Sequence, residues 1–118
     1  MSDKHTEIID KINKSFQNDD PETFLDFCAE DFEWSMVGEG SHKGKDAVRK
    51  WMSEMDKHES PEIHNTKVIS NGEEAASNGE MSMKNADGEN VKYSYCDIYK
   101  FQNEKVIELK SFVVKIED

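Results

Sequence analysis

The sequence predicts an α+β fold in which three N-terminal helices pack in the concave face of a curved, mainly antiparallel sheet. Apolar residues recur at helical spacing in the first half of the chain, whereas the second half shows alternation between turn signals. Consecutive hairpins form an antiparallel meander, and helices on its concave face make a cone-shaped α+β barrel with a pocket inside. Because 118 residues suffice for one core only, we expect residues 1–118 to form a single domain.

The first two helices are marked by an apolar stripe and by a capping signal. Residues 3–18 are predicted to be helical because apolar side chains recur there on one face, namely Ile8, Ile9, Ile12 and Phe16. Asp20 followed by Pro21 starts the second helix, since Asp accepts from free N–H groups and Pro fits the first turn. This helix is expected to carry Phe24, Leu25, Phe27 and Cys28.

A short strand and a third helix follow. Alternation over residues 32–37 predicts a strand that places Trp34 and Met36 on one face, before glycines at 38 and 40 break it. The third helix begins near Gly44 and ends within residues 58–61. It shows the clearest amphipathic pattern of the chain, formed by Val48, Trp51, Met52 and Met55.

Four strands are expected in the second half, over residues 63–70, 75–84, 91–102 and 105–116. The pair Asn71 and Gly72 is a strong two-residue hairpin signal between the first two of them. In the last strand, the apolar residues fall into two sets of opposite parity. We therefore predict a β-bulge near residues 110–111 that buries both sets, which are Ile107 and Leu109, and Phe112, Val114 and Ile116.

The charge balance excludes several classes of partner. With 26 acidic and 15 basic residues, the chain has a formal net charge of −11, which repels nucleic acid and anionic membrane surfaces. No stretch is apolar enough to span a bilayer, and the charged N-terminus has no signal-peptide core, so we expect a cytoplasmic protein. Cys28 and Cys96 are interpreted as reduced, buried thiols. The histidines lack metal-ligand spacing and the chain lacks nucleotide-binding motifs, so neither metal nor cofactor is expected.

Three segments carry a resemblance to a known family. They are residues 20–32 (DPETFLDFCAEDF), residues 42–48 (HKGKDAV), and residues 96–101 (CDIYKF) with 105–107 (KVI). Together with the order of elements, they resemble the SnoaL-like and ketosteroid-isomerase-like branch of the nuclear transport factor 2-like superfamily. The resemblance implies the cone-shaped fold predicted above, which hosts isomerases, cyclases, hydratases and plain binding modules.

The resemblance also assigns positions to the parts of a steroid-isomerase site. Met36 stands where such enzymes have the Asp that moves a proton, and Ile12 or Phe16 stands where they have a Tyr donor. Asp97 matches the carboxylic acid that those enzymes keep protonated in an apolar site. Because two of the three parts are missing, we expect no steroid-type isomerase activity.

Asp97 is also the most informative residue without the family. Alternation places it on the aromatic face of its strand, beside Tyr95 and Tyr99, where burial should raise its pKa. It is then either a pocket acid that binds or protonates a ligand carbonyl, or an Asp that only fixes strand register. Trp34 and Met36 are expected to line the same pocket, or to be plain core.

Two polar residues are second-choice pocket groups. His64 lies on a predicted strand and is a less favoured candidate for a base in the pocket. Glu80 faces the pocket if residues are counted back from Asp97 through the loop, whereas alternation with Met81 and Met83 places the methionines there instead. The sequence leaves both readings of this strand open.

Two functions remain in view. The first is a small-molecule-pocket protein of the SnoaL-like kind that is not catalytic and serves binding or dimerisation. The alternative is an isomerase-, cyclase- or hydratase-type enzyme that acts on a small hydrophobic carbonyl compound, with Asp97 as acid or hydrogen-bond donor. A homodimer is expected through the outer face of the sheet, where Cys96 and Ile98 are apolar for an exposed strand.

Overall fold

The fold, obtained as a computed structural model, is described for residues 2–55, 62–84 and 87–116. The helices are α1 (Ser2–Gln17), α2 (Pro21–Asp26) and α3 (Lys45–Met55). The strands are β1 (Cys28–Met36), β2 (Gly40–Lys43), β3 (Glu62–Asn71), β4 (Glu74–Lys84), β5 (Asn90–Gln102) and β6 (Lys105–Lys115). Three helices with a curved, mainly antiparallel sheet confirm the predicted α+β class. No helix within these ranges has the length and apolarity needed to cross a membrane.

The six strands form one sheet in the order β2-β1-β6-β5-β4-β3. Neighbouring strands are antiparallel except for β1 and β6, which run parallel. Strands β3 to β6 are joined by consecutive hairpins and form the meander that the turn signals predict. The last strand, β6, is thereby placed inside the sheet, between β1 and β5.

The end of the second helix differs from the prediction. The helix stops at Asp26, and Cys28 begins β1 instead of lying in the helix. The reason is that the chain is already captured by the sheet at this point, since the carbonyl of Phe27 accepts a hydrogen bond from the N–H of Val106 (2.8 Å). β1 is consequently longer than the predicted strand over residues 32–37.

The glycine-rich break after β1 is a hairpin turn. Gly38 has a φ of +90°, and the N–H of Glu39 donates to the carbonyl of Met36 (2.9 Å). The turn folds β2 back onto β1, a strand that the prediction lacked because its four residues are mostly polar. The predicted end of the third helix, at residues 58–61, lies outside the described residues.

The core lies between the helices and the inner face of the sheet. Its helical side includes Ile9 and Ile12 of α1 and Val48 of α3, which the apolar stripes predicted. The sheet side is rich in aromatic rings, and Phe24 of α2 packs edge-on against Phe32 of β1 with ring centroids 5.8 Å apart. Burial of these side chains supplies most of the stabilisation of the fold.

The predicted bulge in the last strand exists, but at another position. Lys100 of β5 faces Glu108, whereas the next residue, Phe101, faces Val106, so Ile107 is the extra residue. From Glu108 onward the pairing is regular, and the prediction of a bulge at residues 110–111 is therefore wrong.

The position of this bulge decides which side chains of β6 are buried. The shift at Ile107 brings Val106 and Leu109 to the same face, and both are buried. The second apolar set, which was also predicted to be buried, remains on the outer face: Phe112 is 37 % exposed and Val114 is 64 % exposed.

Candidate functional site

A row of three polar side chains crosses the inner face of the sheet. Ser77 of β4 faces Asp97 of β5, and Asp97 faces Ser111 of β6, so the three side chains project from the same face. Ser77 and Ser111 are buried. Tyr99, two residues from Asp97 on the same strand, is buried as well. We call Ser77, Asp97 and Ser111 the polar row.

The first helix adds an amide to the polar row. Asn13 of α1 is only 6 % exposed, and its Nδ2 lies 3.4 Å from the Oγ of Ser77, at the long end of hydrogen-bonding distance. The family resemblance had directed attention to Ile12 and Phe16 on this helix instead. Asn13 could have been found from the sequence, because it lies four residues after Ile9, within the apolar stripe.

A chain of hydrogen bonds connects the first strand to Asp97. The indole Nε1–H of Trp34 donates to the Oγ of Ser111 (2.8 Å), and Ser111 is in turn hydrogen-bonded to the carboxyl group of Asp97. An indole N–H can only donate, so Ser111 accepts from Trp34 and keeps its own proton for Asp97. Trp34 thus orients the Ser111 hydroxyl toward the carboxylate.

The surroundings of Asp97 raise the pKa of its carboxyl group toward neutral pH. Burial raises the pKa of Asp97 from 3.8 to about 6, and the hydrogen bond from Ser111 opposes this rise by stabilising the ionised form. Within the described ranges, no cationic side chain contributes to this pKa. The carboxyl group is therefore an acid that is present in both protonation states near pH 6.

Asp97 also keeps some accessible surface. In contrast, Ser77, Ser111 and Tyr99, which surround it, are almost completely inaccessible. Asp97 is therefore the least buried member of the polar row.

The two tyrosines beside Asp97 have different environments. Tyr99 is fully buried, and its hydroxyl has no hydrogen-bond partner among the described residues. Burial first, and then the nearby charge of Asp97, raise the pKa of Tyr99 well above its usual value. The hydroxyl of Tyr95 instead points along the sheet toward β3, where it lies 3.2 Å from the Oγ1 of Thr66.

A glycine makes the position of the Tyr95 side chain possible. Gly79 of β4 is opposite Tyr95, and a Cβ at this position would lie 3.1 Å from the Tyr95 hydroxyl. The same atom would lie 2.8 Å from the carbonyl oxygen of His64, closer than Cβ atoms come in proteins. The absence of a side chain at Gly79 lets the ring cross β4.

Aromatic rings form the wall next to the polar row. The ring of Trp34 lies against Phe16, Phe24 and Trp51, at centroid distances of 6.0, 5.3 and 4.9 Å. Met36 shares the face of Trp34 on β1 and is paired in register with Ser111. The structure thus brings four of the predicted pocket residues to the neighbourhood of Asp97, namely Trp34, Met36, Tyr95 and Tyr99.

The structure does not bring His64 and Glu80 to this site. They face each other across β3 and β4, and Glu80 follows Gly79, so its side chain points to the outer face. His64 is half-exposed there, with its Nε2 3.4 Å from the Oγ of Ser82 and 3.8 Å from an oxygen of Glu62. The pairing of β4 with β5 runs without a bulge, so the inner positions of β4 go to Met81 and Met83.

No group of three or more potential metal ligands occurs in the described part of the chain. Both cysteines are free thiols. Cys28 is buried in the core, and burial raises its pKa to about 12, which leaves it unreactive. Cys96 is only partly buried and belongs to the outer face, as its pairing with Phe112 shows.

An α+β cone with helices on the concave face of a curved sheet is the fold of the nuclear transport factor 2-like class. A family model described as the SnoaL-like domain matches residues 9–109, and the chain belongs to this family. None of the curated proteins matches the chain. The family membership predicted from the three segments is therefore confirmed.

Solved structures of similar fold include proteins to which different functions are ascribed, and one of unknown function. A Cytophaga hutchinsonii NTF2-like protein of unknown function is 25% identical, with a TM-score of 0.75, and the match covers 97% of this chain and 99% of that one. A Xanthomonas campestris protein named as a candidate polyketide cyclase has a TM-score of 0.87 at 13% identity, covering 93% and 90%. TerC, co-crystallised with polyporic acid, has a TM-score of 0.82 at 15% identity, covering 98% and 92%.

Proposed function

We propose that this protein is a cytoplasmic small-molecule-binding protein that holds the polar group of an otherwise apolar ligand at Asp97. The observation that carries the proposal is the position of Asp97, a partly accessible acidic residue that lies among hydroxyl groups and aromatic rings on the inner face, with no cation of the described residues acting on it. The two free thiols support a reducing compartment.

The alternative that Asp97 only fixes strand register explains less. A buried carboxyl and a buried hydroxyl without full partners destabilise the free protein, because desolvation of polar groups is unfavourable. Asp97 lacks a counter-charge and the Tyr99 hydroxyl lacks a hydrogen bond within the described residues. A ligand that pairs with Asp97, which keeps some accessible surface, would offset its part of that penalty. TerC, a protein of similar fold, was co-crystallised with a small molecule, which supports the same reading.

Titration with small aromatic compounds, followed by NMR, tests the proposal. Binding should shift the indole N–H signal of Trp34 and the carboxyl signal of Asp97, because both border the same hydroxyl group of Ser111. Asp97→Asn should weaken binding, whereas Asp10→Asn, an exposed position on α1, removes the same charge and should not. Shifts confined to the outer face of the sheet would refute the proposal.

The second candidate function is an enzyme of isomerase, cyclase or hydratase type that acts on a hydrophobic carbonyl compound. The pKa of Asp97 favours it, since an acid with a pKa of about 6 can donate a proton near neutral pH. Met36, at the position of the base, cannot take a proton, so we expect no conversion of a β,γ-unsaturated ketone. Conversion that survives Met36→Ala but is lost in Asp97→Asn would establish this candidate and contradict that expectation.

We further propose a homodimer through the outer face of the sheet. Exposed apolar side chains lie together there on β3, β5 and β6, among them Ile69, Ile98, Phe112 and Val114. The charges of this face are balanced, in contrast to the net charge of −11 for the chain, so two copies repel each other least here. The charged residues of the face on β3 to β6 are Lys67, Lys84, Lys92, Lys100 and Lys110, with Glu62, Glu74, Glu80 and Glu108.

Light scattering at micromolar concentration tests the dimer. The expected mass is twice the chain mass of 13.6 kDa. Ile98→Lys should shift the equilibrium to the monomer, whereas Val37→Lys, which changes an exposed apolar residue outside the face, should not. A monomer mass for the unmodified protein would overturn this proposal.

A further inference from the structure

Asp97 is partly buried, and the groups that surround it are all neutral. The elements packed around it present Asn13 from α1, Trp34 from β1, Ser77 from β4 and Ser111 from β6. Its own strand presents Tyr93, Tyr95 and Tyr99 on this face. The charged residue of β6 on this face is Lys115, an exposed residue that lies four positions beyond Ser111. Within the described ranges, no Lys, Arg or His acts on the carboxyl group. An ionised Asp97 is therefore a partly buried anion whose counter-charge is not supplied by these residues.

The hydrogen bonds nevertheless favour the ionised form of Asp97. Ser111 accepts from the indole N–H of Trp34, so its only proton is directed at the carboxyl group. A carboxyl that is to remain neutral needs an acceptor for its own proton, whereas a donor such as Ser111 stabilises the anion. The site thus holds a hydrogen bond prepared for a negative charge, next to the Tyr99 hydroxyl that has no described partner.

We propose that the ligand is a cation, a protonated or quaternary amine on an apolar body, whose positive charge pairs with Asp97. This inference rests on the small-molecule site proposed above and names its ligand class. An ammonium group supplies the counter-charge that the described residues do not. The ring of Trp34, which is only partly buried, can contribute cation–π attraction.

The net negative charge of the whole protein also favours a cationic ligand. At a net charge of −11, the surface attracts cations and repels anions, which raises the rate at which an amine reaches the site. A carboxylate or phosphate ligand would face this repulsion and then lie against Asp97 without a described cation to receive it. The same reasoning predicts weaker binding of anionic ligands than of cationic ones.

Proton exchange on binding distinguishes an amine from a carbonyl compound. An amine needs Asp97 ionised and lowers its pKa, so binding releases a proton, whereas a carbonyl needs Asp97 protonated and binding takes one up. Because the pKa of Asp97 is about 6, either process involves up to about half a proton at pH 6. The affinity for an amine should rise about tenfold from pH 5 to pH 7, and that for a carbonyl should fall similarly.

The experiment compares benzylamine, acetophenone and benzoate, which share a ring and differ in their polar group. Each is titrated into the intact protein by NMR at millimolar concentration. Calorimetry in two buffers of different protonation enthalpy then gives the sign of proton exchange. We expect benzylamine to bind more tightly than acetophenone with release of a proton, and benzoate not to bind.

Two variants and three outcomes complete the test. Asp97→Asn should reduce benzylamine affinity at least tenfold and abolish its pH dependence, while Asp10→Asn should retain both. Binding of acetophenone with proton uptake, and weaker binding of benzylamine, would overturn the cation while leaving the small-molecule site intact. Equal loss of benzylamine in both variants would show a general charge effect and also overturn it. If none of the three compounds shifts an inner-face signal, the site and the cation are both refuted.

Discussion

The substitution Asp97→Asn should stabilise the protein at neutral pH, and the gain should depend on pH. The folded pKa of about 6 lies above the ordinary value of 3.8, so the folded state binds this proton more tightly than the unfolded chain. The stability contribution of the site is therefore complete below the unfolded value and is lost as pH rises through the folded value. At about 1.4 kcal/mol per pKa unit, the loss by neutral pH amounts to about 3 kcal/mol.

Asn has nearly the shape of Asp and no charge, so it removes this pH-dependent term. We compare the free energy of unfolding of the variant with that of the unmodified protein at each pH. The difference between the two should increase by about 1.4 kcal/mol, in favour of the variant, as pH rises from about 5 to about 7.5. Urea titrations followed by fluorescence of Trp34 and Trp51 measure it at each pH, at micromolar concentration because the isoelectric point is near 4.7.

Asp10→Asn is the matched control, since it removes one negative charge from an exposed position of the first helix. Its stability difference from the unmodified protein should be small and independent of pH over the same range. If the Asp97→Asn curve runs parallel to the control, or if Asp97 titrates at or below 3.8 by carbon-13 NMR, the reasoning on desolvation is refuted.

Three further changes test single contacts of the site. Ser111→Ala removes the hydroxyl that favours ionised Asp97, so the pKa of Asp97 should rise above about 6, and an unchanged carbon-13 titration would contradict the hydrogen bond. Tyr99→Phe removes a buried hydroxyl without a described partner and should stabilise the free protein by about 1 kcal/mol in urea titrations, whereas a comparable loss would reveal a partner. Gly79→Ala places a Cβ 3.1 Å from the Tyr95 hydroxyl and 2.8 Å from a β3 carbonyl oxygen. It should destabilise by about 1–3 kcal/mol and accelerate amide exchange in β3, and unchanged exchange would contradict this crowding.

The class of fold could be predicted because local patterns agree with the final structure. The apolar stripe of the first helix and the hairpin between β3 and β4 each depend on neighbours in sequence, and both persist in the fold. The two-residue loop lies one position later than predicted, at Gly72 and Glu73, because Asn71 pairs with Glu74. Asp97 could be placed on the inner face for the same reason, since alternation along β5 is unbroken around it. Its raised pKa followed from the aromatic residues beside it.

What escaped prediction depends on contacts between distant segments. The bulge at Ile107 is decided by the pairing of β5 with β6, where burial of Val106 and Leu109 outweighs burial of Phe112. Cys28 belongs to a strand because Val106, far along the chain, binds the preceding carbonyl. The hydrogen bond from Trp34 to Ser111 joins residues that are 77 positions apart in the sequence. No local sequence pattern predicts such a pair.

During synthesis, β1 emerges well before its parallel partner β6. Until β6 arrives, β1 keeps one edge of unpaired N–H and C=O groups, a template on which another nascent chain can add a strand. Pairings across such long separations also form slowly, because the intervening chain must be ordered first. A chain that stops before β6 lacks Ser111 and leaves Trp34 without its acceptor. We expect such fragments to aggregate, and the protein that includes β6 to fold in one cooperative step.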